Sequence, residues 1–298
     1  MKGNWIAHIF LFGAALIYGA NYSIAKVVLD GGFISPMGLV FFRVLSAFLI
    51  FFLFHVFFIK EKIDKKDLPK VLKVTIFGIV INQSFFIIGL KHTVPINAAL
   101  LLTVVPILVF AFSAYLLKEK IGFRKIIGVG LAFVGVLSII LNKGSVQFSF
   151  ENMKGDIFVF LNSVSYAYYL VSIKPLLKKY NPVTITKWMF LFGLIIITPF
   201  GISGAINVDW ETFTTDIWIA FIYVLVFTTF LAYLFNILAL RKVNPSVVGV
   251  YVYLQPILAT IIAYMMGKDS LNFEKILAGI LIFTGVYLVS SQNKKLSD

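Results

Sequence analysis

The chain has 298 residues, of which 60% are hydrophobic, 16% aromatic and only 13% charged, with a formal net charge of +13 and no cysteine. A water-soluble domain carries about 25% charged residues, so a mean hydropathy of +0.97 excludes a soluble globular protein, and the missing cysteine excludes a disulfide framework, a thiol nucleophile and cysteine-ligated metal. The positive charge fits basic loops against an anionic bilayer surface, not a nucleic-acid partner.

A spanning helix needs about 20 mainly apolar residues. Ten segments meet this requirement: 5–29, 36–59, 69–90, 94–117, 123–141, 155–177, 182–202, 213–238, 244–266 and 273–291. The first follows Lys2 and superficially resembles a signal peptide. It is too long for an h-region and no clear small-residue cleavage site follows it, so it reads as a retained helix. Pro36, Pro69, Pro182 and Pro245 mark helix starts, where a missing N–H is tolerated. Pro106 and Pro256 lie deep inside helices 4 and 9 and should kink both, as a pair of hinges. The longest connection, 142–154, is the boundary between two units, residues 1–144 and 154–292.

Lysine and arginine set the orientation. Lys2, Lys60, Lys62, Lys65, Lys66, Lys70, Lys73, Lys118, Lys120, Arg124, Lys125, Lys174, Lys178, Lys179, Lys187, Arg241, Lys242, Lys294 and Lys295 share one side. Lys26, Lys91, Lys143, Lys154, Lys268 and Lys275 take the other, together with the acidic group Asp209, Glu211 and Asp216. Both termini are therefore expected in the cytoplasm, in an inner (plasma) membrane.

The stretch Leu90 to Val136 returns without a gap at Leu240 to Val286, an offset of 150. Pro95 meets Pro245, Pro106-Ile107-Leu108 meets Pro256-Ile257-Leu258, Lys118 meets Lys268, and Gly135-Val136 meets Gly285-Val286. Weaker echoes pair Tyr18 with Tyr166 and Lys26 with Lys174. With five helices per unit, the second copy enters the membrane upside down. Inverted repeats of this kind are a transporter architecture, with solute bound near the midplane between the halves. The expected fold is thus an all-α integral membrane protein of ten transmembrane helices in two inverted five-helix repeats.

Every Asp and Glu falls in a loop or at a helix end. No carboxylate is available at midplane depth for a proton relay, and no catalytic, metal or cofactor site is expected. His55 reads as an interfacial histidine. Arg43 is the one charge well inside a helix, about 10 Å from its outer end at 1.5 Å per residue. It is either an anchor or a solute contact. Lys26 and Lys91, near outer helix ends, are either snorkelling anchors or contacts for an anionic group.

The uncharged polar residues at depth say more, because each must face protein or water. Tyr18 and Tyr22, like Tyr251 and Gln255, are four apart and share a helix face. Tyr166 and Tyr169, like Tyr233 and Asn236, are three apart. Asn21, Asn82 and Gln83 add amides. Asn162, Thr228 and Thr229 lie at similar depth. Small residues at Gly128, Ala132 and Gly135, answered by Ala278 and Gly285, mark close packing of helices 5 and 10, of the two halves or of two protomers.

Several elements together resemble the EamA-type transporters of the drug/metabolite transporter superfamily. They are Tyr18-Gly-Ala-Asn21-Tyr22 with Lys26, Ser35-Pro36 followed by Arg43, Gly89-Leu90-Lys91-His92 with Ala98-Ala99-Leu100, Pro106-Ile107, Lys118-Glu119-Lys120, and Gly128 with Gly135. The resemblance spans nearly the whole chain. It implies a central cavity lined by helices 1, 3, 4, 6, 8 and 9 and movement of small metabolites, often export. Two departures stand out: Tyr18 where the family often has Trp, and Pro182 without a matching Arg.

These readings converge on an aromatic-walled cavity with amides and hydroxyls, suited to a small amphipathic metabolite such as an amino acid. The candidate contacts are Tyr18, Asn21, Tyr22, Asn82, Gln83, Tyr166, Tyr169, Tyr233, Asn236, Tyr251 and Gln255, with Lys26, Arg43 and Lys91 as charged candidates. The expected partners are that solute and the bilayer, for a monomer or a homodimer. The alternative is a lipid- or head-group-handling flippase or enzyme. The motifs HExxH and GxSxG are absent, as is a pair of intramembrane aspartates, which leaves a hydrolase without its parts. A channel would lack a Gly-rich filter or a ring of charge.

Overall fold

The computed structural model describes residues 5–93, 95–142, 150–265 and 273–291. Side chains at 22, 23, 26, 30, 95, 96, 142, 150–152 and 263 lie outside that description. Ten membrane helices emerge among the described residues. They are α1 (Trp5–Asp30), α2 (Pro36–Phe58), α3 (Lys65–His92), α4 (Pro95–Leu102 and Val105–Leu117), α5 (Phe123–Asn142), α6 (Phe150–Ser172, then Lys174–Lys179), α7 (Pro182–Ile206), α8 (Thr215–Lys242), α9 (Pro245–Val250, then Leu254–Met265) and α10 (Phe273–Ser290). Nine are long and apolar enough to cross a membrane; α1 holds a shorter described apolar run, Trp5–Asn21.

The helix starts follow the prolines. Ser35 caps α2, its Oγ accepting from Gly38 N, with Pro36 in the first turn. Asn181 repeats this before Pro182, accepting from Val183 N. This is the arrangement in which a side-chain oxygen satisfies an orphan N–H and proline has none to lose.

The packing is two-fold. The neighbours are α2 with α7, α5 with α10, α4 with α9, α3 with α6, α8 with α1, α4 with α6 and α9 with α1. Exchanging each helix with its counterpart five places on returns the same set of pairs. That invariance is the inverted repeat in three dimensions. The α5–α10 seam is made by the small residues: a Cβ on Gly128 would lie 2.8 Å from Gly285 O, and one on Gly135 2.7 Å from Ala278 O. The small-residue faces thus join the two halves of one chain.

Both halves depart from regular α-helix at matching points. In α3 a widened π turn occupies Ile76–Ile81, and in α8 another occupies Tyr223–Leu231. In α4 the helix breaks at Thr103 and Val104, whose N–H groups reach back only three residues, to Leu100 and Leu101. In α9 a 3₁₀ turn spans Tyr251–Tyr253. Contrary to the expectation from sequence, Pro106 and Pro256 therefore do not bend continuous helices. Each sits in the first turn of the segment after the break. A proline there is unable to donate four residues back, so the preceding turn opens. The two breaks touch: Tyr253 OH donates to Thr103 O at 3.0 Å, a bond between residues 150 apart.

One face of the bundle carries the basic connections after α2, α4, α6 and α8. Here Asp67 takes Lys70, Lys179 and Tyr180. The Glu61 carboxylate accepts from Asn181 N, its carbonyl lies 3.1 Å from His55 Nε2, and Lys187 stands 3.5 Å from His55 Nδ1. Buried Lys174 donates to the carbonyls of Leu240 and Val243, closing the end of α8. Glu119 pairs with Lys125 at 2.6 Å and accepts from Asn244 and Ser246 at the start of α9. On the opposite face Asp156 accepts from Thr93 and Asn97 at the start of α4. A carboxylate thus holds the N-terminus of both α4 and α9, where negative charge is favoured.

Candidate functional site

A cavity lies at mid-depth between the halves. The volume open to water centres is about 80 Å³, room for several molecules at about 10–15 Å³ each. From the first half come Tyr18 and Asn21 on α1, Arg43 on α2, Asn82, Gln83 and Phe86 on α3, and Leu102 and Val105 on α4. The second half gives Asn162 and Tyr166 on α6, Thr228 and Tyr233 on α8, and Val252 and Gln255 on α9. Every helix expected to line the cavity does so, and α2 is added through Arg43.

The irregular turns build this lining. A π turn shifts carbonyls off the regular ladder, and such turns are frequent at functional sites. In α3 the carbonyls of Phe77 and Gly78 leave the helix, accepting from Ser165 Oγ at 2.6 Å and Tyr233 OH at 2.8 Å. In α8, Thr229 Oγ1 donates five residues back to Val224 O. Thr228 beside it donates to Asn21 Oδ1 at 3.0 Å, tying α8 to α1. Asn162 Nδ2 donates to Asn82 O at 2.7 Å, tying α6 to α3. Gly19 admits α9 against α1: a Cβ there would be 2.9 Å from Gln255 O.

Three lining groups differ in how they are satisfied. Tyr233 shares its one proton between Gly78 O and Asn82 Oδ1, the latter at 3.1 Å. Gln83, 1% exposed, has its amide beside the Tyr233 hydroxyl but within full hydrogen-bond distance of no protein group. Arg43, 4% exposed, donates through Nε to Thr229 Oγ1 at 2.9 Å, while Nη1 has no partner. A charge at mid-helix costs about 2.5–3.5 kcal/mol on insertion scales. The structure places Arg43 on the cavity wall, not at a bilayer surface.

Of the other sequence candidates, Tyr18, Asn21, Asn82, Tyr166 and Gln255 reach the cavity together with these three. Four do not. Tyr169 is 1% exposed and lies against Gly78, where a Cβ would be 2.3 Å from its ring. Its ring lies tilted against those of Tyr166 and Tyr233, closing the cavity toward the basic face. Asn236 is buried beside Tyr18. Tyr251 bonds His8 Nδ1 at 2.8 Å, away from the lining. Lys91 is exposed at the far end of α3. The side chains of Tyr22 and Lys26 lie outside the described residues. Asn162 and Thr228, left out of the sequence set, carry hydrogen bonds between helices on the wall; Phe86, Leu102, Val105 and Val252 carry no sequence signal beyond being apolar.

The model of the EamA-like transporter family matches residues 5–141 and again 153–291. The chain belongs to the EamA-like transporter family. An EamA-like identity accounts for the doubled five-helix unit and the cavity between the copies. An uncharacterized transporter of Archaeoglobus fulgidus is 29% identical over 97% of this chain and 99% of its own length. The uncharacterized transporter YyaM of Bacillus subtilis is 25% identical over 97% and 96%. The Arabidopsis thaliana protein WALLS ARE THIN 1 is 24% identical over 95% of this chain and 82% of its own. A solved crystal structure superposes with a TM-score of 0.76 at 15% identity, covering 98% of this chain and 99% of that one, which shows the same fold. The chain is a multi-pass membrane transporter of the EamA type.

Proposed function

We propose that the protein is a secondary transporter exporting a small amphipathic metabolite, such as an amino acid or related compound, by alternating access around the midplane cavity. The observation that carries this is the pairing of one cavity with two symmetry-related sets of irregular turns, since corresponding helices of both halves supply both. Breaks at the cavity wall let each half bend without losing a long helix. Tyr18, Tyr166 and Phe86 offer ring faces to an apolar body. Asn21, Asn82, Asn162, Gln83 and Gln255 orient its polar part. The excess of lysine and arginine on one face supports a plasma-membrane protein with both termini in the cytoplasm.

The test is a screen of purified protein in liposomes against a metabolite library. We expect at least one solute to move faster than through protein-free liposomes, and Gln83→Ala to slow it while folded protein is retained. A full library with no mover would refute the transporter reading. Unchanged movement in both Gln83→Ala and Tyr18→Ala would remove the cavity as the route.

A further inference from the structure

The cavity carries one formal charge that no protein group neutralises. Arg43 spends Nε on a neutral hydroxyl, and its Nη1 is buried without a partner. No Asp or Glu stands in the lining. Lysines pair with Asp64, Asp67 and Glu119 at helix ends and loops of the basic face, away from the cavity. A guanidinium does not deprotonate in a protein, so the charge persists. The other half does not mirror it. Counting from Pro36 and Pro182, the position of Arg43 is taken by Met189. A second buried donor in the same wall, the Gln83 amide, lies beside the Tyr233 hydroxyl without a close hydrogen bond to any protein group.

We propose that the transported solute carries one carboxylate and no second negative group, with Arg43 as its counter-charge and Gln83 as a second N–H donor. This rests on the transporter reading and names the substrate class for it. A carboxylate presents two coplanar acceptor oxygens, the geometry that a guanidinium edge takes in two parallel bonds. A cation would meet like charge. A neutral solute would leave the guanidinium unneutralised. One arginine with no lysine beside it matches a single negative charge and not a phosphate dianion. The tyrosine and phenylalanine faces around it suit an apolar or aromatic body.

The experiment is thermal unfolding of the purified full chain with size-matched probes: phenylacetate, phenylacetamide, phenethylammonium, the corresponding three-member series built on octanoate, and inorganic phosphate. The carboxylates should raise the midpoint and the amides, amines and phosphate should not. Arg43→Gln should weaken carboxylate binding by about 10- to 100-fold, as for loss of a hydrogen bond to a charged group. Gln83→Leu removes no close hydrogen bond within the protein and keeps the test open if Arg43→Gln does not fold; it should weaken binding by about 5-fold. Stabilisation by amides, amines or phosphate equal to that by carboxylates would overturn the proposal. So would carboxylate binding unchanged in both variants, or no stabilisation by either carboxylate. If only solutes without a carboxylate move in liposomes, the transporter reading stands and this assignment falls. If carboxylates bind but no solute moves, the site stands and the transporter reading falls.

Discussion

Gly285→Ala should pull the two halves of the bundle apart by a measurable amount. A Cβ at 285 would lie 2.3 Å from Gly128 O, 2.7 Å from Ala132 Cβ and 2.8 Å from Ala132 N. The first is about 1 Å inside ordinary contact. Two of the three atoms are backbone of α5, so no rotamer relieves the clash. The helices must separate along a seam built on small residues. Overpacking of this kind costs about 1–3 kcal/mol. Gly130→Ala, on α5 but with nothing within 4 Å of its Cβ, should instead stabilise by about 0.5–1 kcal/mol, because alanine loses less backbone freedom in a helix. The assay is the unfolding midpoint of both variants in one detergent at one heating rate. At about 2–4 °C for each kcal/mol, the two variants should move in opposite directions. If Gly285→Ala were as stable as Gly130→Ala, the α5–α10 seam would not join the halves as described.

Other substitutions separate packing from function. Tyr169→Ala, at a fully buried ring against Gly78, should cost about 3–5 kcal/mol, read as lost folded yield before any transport defect is scored. Glu119→Leu leaves Lys125 buried without its partner and frees the start of α9; breaking a buried pair costs about 3–5 kcal/mol. Adding Lys125→Met should recover part of that in the same unfolding assay, and failure to recover any would show that Asn244 and Ser246, not the ion pair, dominate. Tyr253→Phe removes the bond to Thr103 O and leaves a buried carbonyl, a loss of about 1–3 kcal/mol. An unchanged midpoint would mean that another donor takes that carbonyl.

The helix count and the doubled unit were legible because apolar length and a gapless repeat each act over many residues. Pro106 and Pro256 located the breaks, but shifted by about a turn, because a proline disturbs the residues before it. The site was less legible. The π turns in α3 and α8 use the same apolar residues as their neighbours, so no residue type announces them. They also rotate the helix beyond them, which defeats face assignments drawn at 3.6 residues per turn. That rule puts Tyr251 and Gln255 on one face, and the 3₁₀ turn at Tyr251–Tyr253 separates them. Tyr166 and Tyr169 share a helix but not a role, since Gly78 opposite leaves a slot that only one of them fills. The sequence marks Arg43 by the cost of its charge alone; which way it points depends on α2, α3 and α8 meeting around one space.

The bond between Tyr253 and Thr103 has a consequence for balance. In a molecule whose halves trade conformations, every interaction the copies share cancels from the free-energy difference between the two end states. Only the differences survive. Tyrosine stands at one of these equivalent positions and threonine at the other, and the Thr103 hydroxyl turns back to Leu100 O instead of returning the bond. A single unreciprocated hydrogen bond of about 1 kcal/mol corresponds to about a five-fold unequal population. The resting side of such a machine is then written in the few places where the second copy of the sequence failed to repeat the first.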